Sequence, residues 1–176
     1  MRVISRVLAV LVMATFSHSA NCDDTVKRSA ELQVLDRFVG TWDLIVTAKL
    51  RDGQEVTDKT FETRSWSAGD KFLLFENPQS EKPDAPHFHT LVTYDPATKT
   101  YPGVMMIGAS RSLVTGTWDQ TNNTMTFNGK SLEDEGTFVI KNRFIDKDHS
   151  ESTGILKNAK GEIFLELTQK QTRRGK

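Results

Sequence analysis

The sequence predicts an all-β protein, an antiparallel up-and-down β-barrel of about ten strands with one short N-terminal helix. Three observations carry this expectation. From Gly40 onward, apolar and polar residues alternate with period two, the spacing of half-buried strands. Turn residues break the alternation at hairpin intervals, as in a meander. Helical spacing occurs in one short stretch, just before Gly40. Successive hairpins can close into a barrel, which removes exposed sheet edges.

The elements follow in order. Ser29 is an N-cap residue, and Leu32, Leu35, Phe38 and Val39 recur at helical spacing; this predicts a helix over about Ala30 to Phe38. Gly40 ends it. Trp42, Leu44, Val46 and Ala48 then alternate with Asp43, Ile45, Thr47 and Lys49 up to the hairpin signal Asp52-Gly53. Val56 to Trp66 reads as a long strand, "SAGD" as a turn and "KFLLFE" as the next strand. "NPQSEKPDAP" is a proline-rich loop, "HFHTLVTYD" a strand, and "DPATKT" a type I turn. Six further strands follow: "YPGVMMIG", "SLVTGTWD", "TMTFNGKS", "GTFVIKNRF", "HSESTGIL" and "EIFLELTQK".

The first residues carry a targeting pattern. Arg2 and Arg6 precede the apolar run Val7 to Phe16, and Ser17-His18-Ser19 places small residues at −3 and −1. This predicts a signal peptide over residues 1–19, export to the periplasm or cell exterior, and a mature chain beginning at Ala20. Residues 20–28 are polar and are expected to be loose, with the barrel domain over 29–174. Cys22 is the single cysteine, so no internal disulfide forms. Its place just past the apolar run suits a lipid anchor, but Ser19 at −3 and Asn21 at −1 depart from that pattern. A free cysteine is therefore the preferred reading. Removing residues 1–19 takes away two arginines and no acid, leaving a net charge of −2. Nucleic-acid binding is not expected of such a chain, because phosphate contacts need clustered Lys and Arg. The mature part holds no apolar run long enough for a transmembrane helix.

The tetrapeptide "GTWD" occurs twice, at Gly40–Asp43 and Gly116–Asp119. The first copy closes a helix ending in Phe38-x-Gly40-x-Trp42, which resembles the opening signature of the lipocalin-type, or calycin, barrels. "FVGTWD", "YDPATKTY", "GTWDQTNNTMTF" and "LELTQKQTRR" further resemble a family of secreted bacterial lipocalin-like proteins of unknown function, over roughly residues 30–174. The resemblance implies that Trp42 plugs one end of the barrel, with its indole N–H needing a partner. It also implies that a basic side chain of the last strand packs across Trp42. Lys170, Arg173 and Arg174 are the candidates. Gly40 lets the helix turn into the strand without a Cβ clash. The second copy reads as a strand end entering a turn, with no wider duplication around it.

Chemistry is sparse. The chain has no nucleophile elbow, phosphate loop or dinucleotide fingerprint, and one cysteine excludes a thiolate zinc site. His87 and His89, two apart on a strand, are the nearest approach to a metal pair. They follow a proline-rich loop and read better as solvated residues, so no metal or cofactor is predicted. Glu62, Arg64 and Trp66 share one face of a long strand. Facing the lumen, they would hold a polar or anionic head group, with Arg64 as the anion partner. Their opposite face, Phe61, Thr63 and Ser65, is weakly apolar; the solvent-facing orientation is preferred and the question stays open. Of the apolar strand residues Tyr94, Met105, Met106, Phe127, Phe138 and Phe164, most are expected in the core and some as cavity lining, with Tyr94 and Met105 as candidate ligand contacts. The leading expectation is a barrel binding a small apolar or amphiphilic molecule. The alternatives are an acid–base enzyme at the barrel mouth, pairing Glu62 with His89 or His149, and a haem barrel resembling nitrobindin. The latter's glycines after the Gly-x-Trp opening are missing from "TWDLIVT".

Overall fold

The alternation that begins at Gly40 builds ten strands: β1 (Gly40–Leu50), β2 (Glu55–Ser67), β3 (Phe72–Glu76), β4 (Phe88–Val92), β5 (Tyr101–Ile107), β6 (Ser110–Asp119), β7 (Thr124–Ser131), β8 (Thr137–Phe144), β9 (His149–Lys157) and β10 (Ile163–Arg173). The computed structural model describes residues 28–67, 69–77 and 87–175. The expected signal peptide and Cys22 lie outside the described residues. Each strand pairs antiparallel with the next, and β1 pairs with β10 to close the barrel. Among the described residues the sheet thus has no free edge.

The expected helix is one α-turn, α1 (Ala30–Gln33), followed by a 3₁₀ turn over Val34–Arg37. The Ser29 hydroxyl caps α1 by accepting from the Leu32 N–H at 3.1 Å. This short element lies across one end of the barrel and sends Leu35 and Phe38 inside, where both are fully buried. The Phe38 ring meets Phe144 edge-on at 4.8 Å and Phe75 at 5.4 Å. Burying side chains of this size stabilises by about 1.5–3 kcal/mol each. The core is therefore concentrated at the plugged end, with Trp42, Leu73, Val92, Tyr101 and Met125 around the plug.

All three tryptophans engage consecutive residues of the plug. The Trp66 indole N–H donates to the Asp36 carboxylate at 2.8 Å. The Arg37 guanidinium lies 5.1 Å from the centre of the Trp118 ring. The Trp42 indole N–H donates to the Phe38 carbonyl at 2.7 Å. Both GTWD copies thus serve the same end, because β1 starts there and β6 finishes there. Gly40 has φ +127°, which disfavours any residue with a Cβ. An added Cβ there would also stand 3.0 Å from Arg173 Nη1.

Tyr101 ties β5 to the plug by donating its hydroxyl to the Glu31 carbonyl at 2.8 Å. Burial, reinforced by Tyr94 and Glu31, pushes the phenol up to about 12. Unfolded tyrosine ionises near pH 10, so the folded state holds this proton more tightly. The resulting stabilisation is fully present below about pH 10 and is lost as pH rises through about 12. The expected result is late ionisation of Tyr101, read by phenolate absorbance in a Tyr94→Phe variant. Ionisation of Tyr101 near pH 10 in the folded protein contradicts this packing.

Candidate functional site

Inside the barrel, above the plug, lies a cavity of about 460 Å³ lined by residues from all the strands except β1. That volume falls within the range of small-molecule sites. Its walls carry Phe75, Met105, Phe127, Phe138, Ile140 and Leu167, and Phe88, Ile107 and Phe164 extend them. Small residues make the space. A Cβ on Gly129 would stand 2.0 Å from the Phe138 ring, and one on Gly116 would stand 2.8 Å from the Phe127 ring. These rings lie against glycines of the adjacent strand instead of filling the centre.

At its plugged end the cavity turns polar. Trp42 pairs across β1–β2 with Glu62, so Glu62 shares the inner face of Trp42 and Arg64 follows two residues on. This corrects the preferred solvent-facing orientation of Glu62 and Arg64. The weakly apolar Phe61–Ser65 face lies outside, where the Arg174 guanidinium covers the Phe61 ring at 4.4 Å. Arg64 is 3% exposed. Its Nε donates to Glu62 Oε1, and its Nη2 donates to Gln171 Oε1 at 2.8 Å. Its guanidinium also lies 5.0–5.5 Å from the ring centres of Trp42, Phe75 and Phe38.

The network continues along β8, β9 and β10. Gln171 Oε1 also accepts from Ser150 Oγ at 3.0 Å, and Gln171 Nε2 donates to Ser152 Oγ at 2.7 Å and Gln169 Oε1 at 2.9 Å. Ser152 Oγ donates in turn to Asn142 Oδ1. Sequence reasoning did not single out Thr90, Asn142, Ser152, Gln169 or Gln171. The available signal was weak: "SES" and "TQKQT" place polar residues on both faces of β9 and β10.

Arg173 takes the role implied for a basic residue of the last strand. It pairs with Trp42 across β10–β1, and its guanidinium lies 4.3 Å from the indole centre. It donates to the carbonyls of Val39, Arg37 and Lys147, the last two at 2.8 and 2.9 Å. Burial lowers the pKa of this guanidinium; Asp148 opposes the effect and Arg64 adds to it. Arg174 points outward to Asp43 at 2.6 Å. Lys170 is likewise exposed.

The other candidate residues divide between the cavity and the rest of the barrel. Met105 lines the cavity, whereas Trp66 and Tyr94 pack at the plugged end. Met106 alternates outward, correcting its expected place in the core, and Phe164 is 43% exposed. His89 is also outside, 3.4 Å from Glu76, and His87 is exposed just before β4. His149 is an exposed partner of Asp146. His89 and His149 pair with Glu76 and Asp146 instead of Glu62, so the carboxylate–histidine pair of the alternative enzyme reading is not formed. Among the described residues no group of three or more His, Cys, Asp or Glu is arranged to hold a metal. Among the described residues the cavity lining offers haem iron no imidazole, thiolate or phenolate, so these residues do not fit a haem held by such ligands.

Comparison with curated proteins finds no match. Solved structures share the fold at low identity. An S-type phycobiliprotein lyase, CPES, from Guillardia theta is similar at TM-score 0.59 and 12% identity, covering 86% of this chain and 96% of that one. Rv2717c from M. tuberculosis is similar at TM-score 0.63 and 13% identity, covering 84% and 99%. A protein of unknown function from the DUF3598 family of Nostoc punctiforme PCC 73102 is similar at TM-score 0.55 and 11% identity, covering 80% of this chain and 48% of that one. The model of a family described as protein of unknown function, DUF1579, matches residues 27–173, and the chain belongs to that family.

Proposed function

We propose that this protein binds a small amphiphilic molecule in the barrel lumen. One observation carries the reading: the cavity has a largely apolar wall and a hydrogen-bonded polar cluster at its plugged end. Ligand sites commonly combine an apolar lining with a few placed polar groups. A ligand would lie with its apolar part against Phe138, Ile140 and Leu167 and its polar part toward Arg64 and Gln171. The barrel likeness to a phycobiliprotein lyase is compatible with ligand binding, and at that identity it supports the fold alone.

The test is displacement of an environment-sensitive fluorescent fatty-acid probe from delipidated protein, alongside native mass spectrometry of freshly purified material. The wild type is expected to take up one probe. Gly129→Ala forces the Phe138 ring to move, and the lumen is the space open to it. That variant is expected to bind about tenfold more weakly, or about 1.4 kcal/mol, while keeping its β-sheet circular dichroism. Failure of the wild type to take up any probe overturns the reading.

We also propose that the protein acts after export, on the strength of Arg2, Arg6 and the apolar run Val7 to Phe16. N-terminal sequencing of the protein from its native host should begin at Ala20. An intact Met1 in that material rejects the proposal.

A further inference from the structure

We infer that the head group taken at the plugged end of the lumen is a carboxylate. The inference rests on the lumen being a ligand site and names the chemistry of that ligand. It starts from two polar atoms that make no hydrogen bond with another described group: Arg64 Nη1 and Thr90 Oγ1. Both residues are more than nine-tenths buried and both line the cavity. Orphaned buried polar groups are uncommon and call for a specific explanation. Here the two share a layer of the barrel. Arg64 pairs with Phe75 across β2–β3, and Phe75 pairs with Thr90 across β3–β4. All three side chains therefore face the lumen at one height, with Phe75 on the strand between the other two.

The direction of the surrounding hydrogen bonds favours an acceptor. Gln171 Oε1, Gln169 Oε1, Ser152 Oγ and Asn142 Oδ1 already accept bonds within the cluster. Arg64 Nη1 carries two hydrogens, and the Thr90 hydroxyl supplies a third. A carboxylate has two oxygens to meet such donors, and its bonds to a guanidinium are charge-assisted.

Charge agrees with this. The strand faces at the plugged end hold two guanidiniums, Arg64 and Arg173, against one carboxylate, Glu62, and the plug adds Arg28 and Arg37 against Asp36. Asp148, the other acid near Arg173, is half-exposed and 3.7 Å away. Glu62 engages Arg64 through Nε, on a different edge of the guanidinium from Nη1. An entering carboxylate therefore need not displace Glu62 from Nε. The apolar walls above would hold its hydrocarbon part.

The experiment uses delipidated protein and four probes of equal chain length: decanoate, decanol, methyl decanoate and decylamine. Each is titrated calorimetrically. Decanoate is expected to bind about tenfold or more tightly than decanol and the ester, with decylamine weakest. Arg64→Gln should abolish this preference. Thr90→Val should narrow it, and removes the hydroxyl without breaking the Arg64–Glu62 pair should Arg64→Gln fail to fold. Equal affinity for decanoate and decanol, or a preference for decylamine, overturns the carboxylate assignment and leaves lumen binding standing. No binding of any probe overturns both. A decanoate preference that survives Thr90→Val and Arg64→Gln unchanged places the carboxylate elsewhere and overturns the assignment.

Discussion

Replacing Trp42 with alanine is expected to lower stability by about 3–5 kcal/mol, the cost of deleting a large buried aromatic. The side chain is fully buried. Its loss opens a cavity between the plug and the first strand. It also leaves the Phe38 carbonyl without its indole donor, and an unsatisfied buried acceptor adds its own penalty. Two guanidiniums, Arg64 at 5.0 Å and Arg173 at 4.3 Å from the ring centre, lose the indole face, and Arg64 keeps only Phe38 and Phe75. Urea denaturation of wild type and variant gives the number directly. A loss below about 1 kcal/mol, smaller than typical for such a truncation, removes Trp42 from the role of plug. Trp42→Phe is the informative companion, since it keeps most of the volume and removes the N–H donor.

The plug was legible because its signals are local. Ser29, the spacing of Leu35 and Phe38, and the left-handed requirement at Gly40 all fall within one short stretch. The strands were legible for the same reason, since alternation and turn residues such as Asp52-Gly53 need no tertiary information. The lumen was not. Its inner face carries Arg64, Gln169 and Gln171, while the outer face carries Ile45, Leu113, Val139 and Ile155 at 37–54% exposure. Polar-in and apolar-out positions blur the contrast that assigns a strand face. Glu62 and Arg64 illustrate this: their orientation follows from register with Trp42, a long-range fact. Met105 and Met106 have the same chemistry, and register alone sends one in and the other out. Trp66, a ligand candidate by its alternation with Arg64, sits past the cavity because the strand continues to the plug.

Replacing Glu62 with glutamine should expose the balance between stability and binding at the plugged end. Glutamine keeps the shape and a carbonyl oxygen near Arg64 Nε but removes the compensating charge. Breaking one side of a buried ion pair typically costs about 3–5 kcal/mol, and Glu62, with 14% of its side chain exposed, belongs at the lower end, about 3 kcal/mol. The double variant Glu62→Gln with Arg64→Gln should recover part of that loss, because a buried charge then no longer lacks a partner. In a double-mutant cycle the two sites should couple by about 1 kcal/mol or more. A carboxylate ligand offers the single variant a replacement charge. Decanoate at a hundred times its dissociation constant should return about 2.7 kcal/mol to the folded state, and its affinity should exceed that of the wild type. Decanol should show no such gain in affinity over the wild type. Denaturant melts with and without each compound read both effects together. A Glu62→Gln protein as stable as wild type would mean that Arg64 does not depend on Glu62 for its charge balance. A destabilised variant that gains no affinity for decanoate would mean that Arg64 Nη1 is not where the anion binds.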